Sequence, residues 1–184
     1  MKPPLPWRPD LTFSAAAPFY THMTLPPFQV ALESHRDDIW RLLVASVGRD
    51  RADDCFQETI IAALRGYPDL AGDSNIRAWM LTIASRKAID EHRATQRRPE
   101  PVGEGPESAF APDLDGPGQI WERVRDLPGK QRSAVALRFV VDLDYADIAF
   151  ALDCSPEAAR RSVHEGLTKL RQDLPRELIA DERR

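Results

Sequence analysis

Apolar residues recur at helical spacing near the end of the chain, on both sides of a short polar turn. After Ser155 they fall on one face of a helix, and their positions are Ala159, Val163, Leu167, Leu170 and Leu174. Before the turn, which covers residues 152–154, the inward positions of a shorter helix are Ile148, Ala149 and Leu152. The pattern therefore predicts two helices joined by a tight turn.

The residues at the start of each predicted helix have the chemistry of helix caps. Ser155 can accept hydrogen bonds from free amide groups, Pro156 suits the first helical position, and Glu157 meets the positive end of the helix dipole. Asp144 can cap the shorter helix, with Asp147 three positions further on as a reciprocal partner. These features predict a helix-turn-helix.

Two arginines on the polar side of the second helix favour DNA as its ligand. Arg160, Arg161 and His164 lie off the apolar stripe. Asp153 stands where the turn requires a left-handed backbone, a conformation that Asp tolerates better than most residues. The alternative is a small helical hairpin that packs and contacts no nucleic acid. The caps, the turn length and the arginine pair favour DNA binding.

The N-terminal half contains a second helical pattern, with helices predicted from Phe28 to Gly48, over 51–66 and from 76 to about 95. In the second helix the residues predicted to face inward are Phe56, Ile60, Ala63 and Leu64. The third is predicted to bury an apolar face of Trp79, Met80, Ile83 and Ala84. Its outer side is predicted to carry Thr82, Ser85, Arg86 and Arg93. No β-type alternation is sustained, so the expected fold class is all-α.

Proline and glycine divide the chain into segments. Residues 1–27 are dense in proline, which predicts an extended leader, and 96–118 combine proline and glycine with little periodicity, which predicts a flexible linker. The predicted organisation is a leader at 1–27, a helical domain at 28–95, a linker at 96–118, a helical domain at 119–176 and a charged tail at 177–184.

Composition narrows the class of protein. The net charge of −4 argues against a protein that coats DNA nonspecifically, and residues 75–98 concentrate a local positive excess. Cys55 and Cys154 lack the spacing of a disulfide framework or a zinc site, so no metal or cofactor is expected. No apolar run of membrane length and no secretion signal occurs, which predicts a cytoplasmic protein without a membrane partner.

Ordered motifs in both halves carry a family resemblance. In the first they are RADDCFQET at 51–59, IRAWMLTIA at 76–84 and DEHR at 90–93, and in the second LPGKQR at 127–132, LRF at 137–139, YADIA at 145–149 and the helix after Ser155. In this order and spacing the chain resembles the extracytoplasmic-function (ECF) class of bacterial sigma-70 factors, which initiate transcription. The resemblance implies a sigma-2-like bundle of three to four helices and a sigma-4-like helix-turn-helix domain.

The resemblance implies that the first domain binds core RNA polymerase, whose beta and beta-prime subunits are the expected partners. The implied binding residues share one side of the second helix and are Asp53, Asp54, Gln57, Glu58 and Ile61. Carboxylates can pair bidentately with arginines, although an ordinary solvated helix face has the same composition. An apolar Ile61 on the same side favours an interface.

The resemblance also implies contacts with double-stranded and melted promoter DNA. The implied −10 residues, which would recognise and melt that element, are Asp73, Ser74, Asn75, Arg77, Arg86, Lys87 and Arg93. The implied −35 residues are Ser155, Glu157, Arg160, Arg161, His164, Lys169 and Arg171. Cations would neutralise phosphates, and the loop at 68–75 would receive an unstacked base. A polar loop is also what an ordinary turn looks like.

The chain departs from the family pattern in the helix-turn-helix. Asp153 replaces a glycine common in the turn, the recognition helix begins without the usual lysine or threonine, and Glu165 and Gly166 stand where a basic pair is frequent. The fold is expected to remain intact. The base preference stays open, and attraction to phosphate near Glu165 is expected to be weaker.

Two other function classes compete with this interpretation. A sigma-like decoy or adaptor would bind polymerase or an anti-sigma factor without recognising a promoter, and the basic third helix and the recognition helix argue against it. An enzyme is disfavoured because the four histidines are scattered and no HExxH, GxSxG or phosphate-binding glycine loop occurs. No catalytic residue is nominated. The free protein is expected to be a monomer, and the resemblance allows an anti-sigma factor as a further partner.

Overall fold

The protein is all-α in the part of the chain that our computed structural model describes, residues 25–97 and 118–173. In those ranges the helices are α1 Phe28–Val47, α2 Arg49–Gly66, α3 Ile76–Arg97, α4 Gly118–Asp126, α5 Gly129–Phe139, α6 Tyr145–Leu152 and α7 Pro156–Asp173, with a 3-10 turn at Tyr67–Asp69. The predicted fold class is confirmed. Nearly all of the predicted leader, most of the linker and the whole tail lie outside the described residues, so the domain boundaries stay predictions.

Helices α1, α2 and α3 pack into an N-terminal unit around α1. Trp40, Leu42 and Leu43 of α1 are fully buried, and Phe56 of α2 meets the Trp40 ring edge-on with 5.8 Å between centroids. Trp79 of α3 packs on the same core, as predicted. These large side chains supply the hydrophobic stabilisation of the unit.

Helix α2 buries a row of small residues, and this corrects one prediction. The buried residues are Ala52, Cys55, Thr59 and Ala63. Leu64, predicted to face inward, is 54% exposed. It follows Ala63 by one residue, which turns the side chain about 100° around the helix and away from the core. Leu64 therefore lies on the outer side of α2.

Part of the side of α3 that was predicted to face outward is buried. Thr82 and Ser85 were expected to face outward, yet both are buried, and α5 and α6 pack on α3 in addition to α1 and α2. The Thr82 hydroxyl donates to the Ala78 carbonyl at 2.8 Å, which satisfies it without water. Periodicity located the apolar face correctly but gave no sign of this second layer of helices.

The helix-turn-helix of α6 and α7 forms as predicted. The Asp144 carboxylate accepts a hydrogen bond from the Asp147 amide at 2.8 Å, and the Ser155 hydroxyl accepts one from the Ala158 amide at 3.2 Å. Asp153 has φ 51°, in the left-handed region. Each feature depends on neighbours in the sequence, which is why the pattern was sufficient to find it.

Gly166 allows α7 to approach α5 closely. A Cβ built on Gly166 would lie 2.7 Å from Val135 Cγ2, closer than real carbon atoms approach. Gly166 is thus buried between helices. A basic side chain at this position would point into the core, so only Glu165 of that pair faces solvent.

The C-terminal unit of α4 to α7 packs directly against the N-terminal unit. Arg132 of α5 is 4% exposed, and it donates to the carbonyls of Ser46 and Leu127 at 3.1 Å each. Arg77 of α3 donates across the same boundary to the carbonyl of Val141. One continuous hydrophobic cluster contains residues of both units. In this structure the described units therefore form one packed body.

Candidate functional site

The acidic face of α2 consists of Asp53, Asp54, Gln57, Glu58 and Ile61, and the helix presents most of it to solvent. Asp54, Gln57 and Glu58 are exposed, Asp53 is half-buried, and Ile61 is 49% exposed. The exposed Leu64 extends this face by one turn. Carboxylate, amide and large apolar side chains thus occupy one surface, a combination that suits a protein interface with cationic groups at its edge.

Leu64 is the residue of this face that sequence reasoning missed. Its spacing of three from Ile61 was a usable signal, because residues three apart share a helix face. The apolar character of Leu64 led to its assignment to the core instead. The small residues Thr59 and Ala63 mark the face of α2 that is buried, and Leu64 does not lie on that face.

A salt bridge connects the acidic face of α2 to α3. Lys87 Nζ lies 2.8 Å from a carboxylate oxygen of Glu58. The Glu58 side chain is 61% exposed and that of Lys87 33%, so water and salt partly screen the pair. A predicted polymerase-binding residue and a predicted DNA-binding residue are therefore neighbours.

The other cations of α3 differ in how available they are. Arg86 and Arg93 are exposed. Arg77 is half-buried, and its Nε donates to the Asp38 carboxylate at 2.7 Å while Nη2 donates to the carbonyl of Val141. Arg77 is thus engaged by both units, and a contact with DNA requires it to leave these partners.

The loop before α3 is polar, and one of its residues has a structural role. The Asn75 side-chain oxygen accepts a hydrogen bond from the Ala78 amide at 3.0 Å, so Asn75 caps α3. The Ser74 amide donates to the carbonyl of Ala71, which closes the turn. Asp73 is exposed. The loop lies beside α3 as expected, with Asn75 already used in part by the backbone.

Helix α7 exposes the residues predicted to contact the −35 element. Arg160, Arg161 and His164 are all solvent-exposed on the side away from the buried Ala159 and Val163. Closer to the C-terminal end of the helix, the residues predicted to contact phosphates are also exposed. They are Lys169 and Arg171. A helix carrying such a row after a tight turn can enter the major groove of DNA.

The start of α7 is electrostatically favourable for an acidic side chain. Hydrogen bonds from its own backbone amide and from the Ser155 hydroxyl hold the pKa of Glu157 below its ordinary value. Glu157 therefore stays ionised at neutral pH. An ionised carboxylate here is a hydrogen-bond acceptor at the leading end of the helix.

An aromatic residue that sequence reasoning did not select lies beside Arg160. The guanidinium carbon of Arg160 is 4.9 Å from the centroid of the Tyr145 ring, and that of Arg138 is 5.8 Å from it. Tyr145 begins α6, whereas Arg160 belongs to α7. Only the three-dimensional arrangement of the helix-turn-helix brings these side chains together.

The described residues contain no arrangement typical of a metal site, since no group of three or more His, Cys, Asp or Glu side chains is positioned to hold an ion. Across the same residues no helix is both long enough and apolar enough to span a membrane.

Burial raises the pKa of the Cys55 thiol to about 12, which keeps it protonated and unreactive.

Comparison with known proteins identifies the family. The family profile of sigma-70 region 2 matches residues 31–98, and that of sigma-70 region 4 matches residues 118–170. The ECF RNA polymerase sigma factor SigD of Mycobacterium tuberculosis (strain ATCC 25618 / H37Rv) is 30% identical over 158 residues, which cover 78% of this chain and 74% of that protein. The chain belongs to the ECF class of the sigma-70 family.

Other ECF sigma factors show a similar likeness. SigX of Bacillus subtilis (strain 168) is 27% identical over 169 residues, with 84% of this chain and 86% of SigX covered. SigC of Mycobacterium tuberculosis (strain CDC 1551 / Oshkosh) is 29% identical over 138 residues, with 72% and 75% covered. Sigma factors are non-enzymatic transcription initiation factors that recognise promoters, and this ECF sigma factor contains both matched regions, sigma-70 region 2 and region 4.

Two solved structures share the fold. The sigma factor RpoE, in complex with the anti-sigma factor NepR from Bartonella quintana, superposes with a TM-score of 0.62 at 21% identity over 79% of this chain and 94% of that one. CnrH, in complex with the cytosolic domain of CnrY, gives a TM-score of 0.60 at 19% identity over 79% and 85%. At these identities the likeness establishes the fold of this ECF sigma factor.

Proposed function

We propose that this ECF sigma factor docks on core RNA polymerase through the acidic face of α2 and selects promoters through α3 and α7. The observation that carries the proposal is the exposed row of Arg160, Arg161 and His164 on the second helix of a capped helix-turn-helix. Bond-forming chemistry belongs to the polymerase, and we assign no catalytic residue to this chain. Its place of action is the cytoplasm, where polymerase and DNA meet.

The polymerase contact combines charge with apolar area. Asp54 and Glu58 can each pair with an arginine of the beta-prime subunit, and Ile61 and Leu64 supply an apolar centre that excludes water. Loss of the two carboxylates leaves unpaired cations in the partner, so charge reversal at both positions is the strongest perturbation of this contact.

The −10 contact depends on the cations of α3 and on the loop before it. Arg86 and Arg93 are exposed, and the surface pair of Arg93 with Asp90, at 3.6 Å, is weak enough for a phosphate to replace. Lys87 joins these two arginines only after leaving Glu58, and Arg77 only after leaving both the Asp38 carboxylate and the carbonyl of Val141. Asp73, Ser74 and Asn75 offer polar groups to a base displaced from the melted strand.

The −35 contact follows the usual geometry of a helix-turn-helix. Arg160, Arg161 and His164 face base edges in the major groove, and arginine favours guanine because its two parallel N–H groups match the O6 and N7 acceptors. Lys169 and Arg171 lie further along the helix and contact phosphates. Glu157 and Ser155 occupy the leading end, where a carboxylate can accept from the amino group of cytosine.

An anti-sigma factor is a further proposed partner. The two structural relatives were solved as complexes with an anti-sigma protein or with the cytosolic domain of a second protein. A protein that covered the acidic face of α2 would compete with polymerase for the same carboxylates. A sigma-like decoy remains the competing function, and it differs in having no effect on the choice of start site.

Two double variants test the division of roles. Asp54→Lys with Glu58→Lys should abolish co-purification with core polymerase. The matched control is Glu33→Lys with Asp37→Lys, which makes the same charge change at the same helical spacing on exposed positions of α1. If the α2 variant still co-purified normally, the proposed docking surface would be wrong.

Arg160→Ala with Arg161→Ala should keep polymerase binding and lose the upstream part of the promoter footprint. The probe is a duplex selected from random sequence by the wild-type holoenzyme. Equal loss of polymerase binding and of the footprint would contradict the separation of the two surfaces. An unchanged footprint would instead show that α7 does not contact the upstream element.

A further inference from the structure

Tyr145 lies against the guanidinium groups of two arginines in the helix-turn-helix. The distances from the ring centroid to the guanidinium carbon are 4.9 Å for Arg160 and 5.8 Å for Arg138. Both distances are within the range of cation–π attraction, in which the negative face of an aromatic ring attracts a cation. The ring thus connects α5, α6 and α7 at the surface that we propose faces DNA.

Hydrogen bonds in the segment that leads into α6 fix the position of the Tyr145 ring. Arg138 donates to the Asp142 carboxylate at 2.8 Å and to the carbonyl of Leu143 at 3.0 Å, so its guanidinium is held by the segment that leads into α6. Tyr145 is the first residue of α6, directly after the capping residue Asp144. Hydrogen bonds therefore hold the backbone next to Tyr145 in place.

Arg160 is less firmly held: its charge interacts with the Glu157 carboxylate one turn earlier, where it adds to the hydrogen bonds that lower the pKa of Glu157. Arg160 is exposed, and it forms no salt bridge with any residue in 25–97 or 118–173. An exposed arginine samples many rotamers, and ordering it on binding opposes association. The Tyr145 ring lies 4.9 Å from this guanidinium and can restrict it before DNA arrives.

We propose that Tyr145 is a positioning residue that holds Arg160 in the conformation that contacts a base. A guanidinium that stacks through its flat face keeps its N–H groups available, because they lie in the plane of the group. Stacking and base contact are therefore compatible. This inference rests on the proposed −35 role of Arg160 and extends it to a residue that contacts the arginine and not the DNA.

The expected effect is modest and specific. A cation–π contact at an exposed site corresponds to a change of roughly 2- to 5-fold in an equilibrium constant. Tyr145→Leu should therefore weaken promoter binding by about that factor, and the discrimination lost should be confined to the base pair that Arg160 contacts. Tyr145→Phe keeps the ring and should bind like the wild type.

The test is a double-mutant cycle in the assembled holoenzyme. Tyr145→Leu, Arg160→Ala and the double variant are compared on one duplex, selected from random sequence by the wild-type holoenzyme. If Tyr145 acts through Arg160, the double variant binds no worse than Arg160→Ala alone. Additive losses would overturn the inference while leaving the role of Arg160 intact. Wild-type affinity in Arg160→Ala would instead overturn the proposed role of Arg160, and with it the inference.

A second measurement on the free full-length chain does not depend on DNA. Nitrogen-15 relaxation of the Arg160 Nε reports how ordered the guanidinium is on the picosecond to nanosecond timescale. The order parameter should fall in Tyr145→Leu and stay at the wild-type value in Tyr145→Phe. An unchanged order parameter in a folded Tyr145→Leu protein would contradict the positioning role.

Discussion

Replacing Arg132 by Met removes the side chain that hydrogen-bonds across the boundary between the two units. The guanidinium donates to the carbonyl of Ser46, in the last turn of α1, and to the carbonyl of Leu127. The last four carbonyls of a helix have no partner within the helix, and a cation near them also interacts favourably with the dipole. Arg132 thus caps α1 from a distant part of the chain.

The magnitude follows from the two bonds and from burial. Hydrogen bonds that involve a charged donor contribute about 1.5–3 kcal/mol each, so the two together contribute at least ~3 kcal/mol. The Arg132→Met variant recovers part of this lost stabilisation. Met has a similar apolar stem, and it removes a charge whose desolvation opposes folding. Burial already lowers the pKa of Arg132 to about 10, which shows that this opposition is present. We expect a net loss of about 2 kcal/mol in the free energy of unfolding.

Urea unfolding followed by tryptophan fluorescence and circular dichroism measures this loss. Trp40 lies in α1 and Trp121 in α4, so the fluorescence reports on both units. Lys130→Met is the matched control, since Lys130 is exposed on the same helix and loses the same charge. The control should stay within ~0.5 kcal/mol of the wild type.

An Arg132→Met protein within ~0.5 kcal/mol of the wild type would refute the reasoning, because surface substitutions have effects of that size. Equal destabilisation by the Lys130 control would also refute it, since charge alone would then account for the loss. A selective loss in Arg132→Met would make the LPGKQR motif a structural link between the units.

Three smaller predictions concern packing, titration and reactivity. Gly166→Ala should lower the free energy of unfolding by about 1–3 kcal/mol through overpacking against Val135, and Val135→Ala in the same chain should restore part of it; an unchanged melting temperature would contradict this. Burial holds the pKa values of His35 and His92 below 6.5, so the unfolded chain binds more protons than the folded one. Stability should therefore fall as the pH drops below 6.5. Urea midpoints at pH 7.5 and 5.5 test this sign, and His→Asn variants should reduce the dependence of stability on pH. Cys55 should resist iodoacetamide at pH 8 in the folded protein and react in urea, as read by mass spectrometry; native labelling would contradict its burial.

The local features of the chain were predictable because their causes are local. The Asp144 and Ser155 caps and the left-handed Asp153 each depend on residues within one helical turn. The exposure of Arg160 and Arg161 likewise followed from the apolar stripe on the other side of α7. Helix type and the position of the recognition helix therefore came directly from pattern and spacing.

Apart from Leu64, whose exposure a local spacing could have indicated, the errors and omissions arise where distant segments meet. Thr82 and Ser85 are buried although they were predicted to face outward, and nothing in the period of α3 indicates that α5 and α6 also pack on it. The link through Arg132 and the Tyr145 contact with Arg160 join helices far apart in the sequence. The roles of the individual polymerase- and DNA-binding residues stay predictions, since the fold exposes most of them but does not by itself reveal what they bind.

Transcription from a randomised promoter library by core RNA polymerase, with and without this protein, tests the central claim most directly. We predict start sites that appear only when the protein is present and that share two upstream sequence elements at a constant spacing. Identical start sites with and without the protein, in reactions where it co-purifies with the polymerase, would contradict the account.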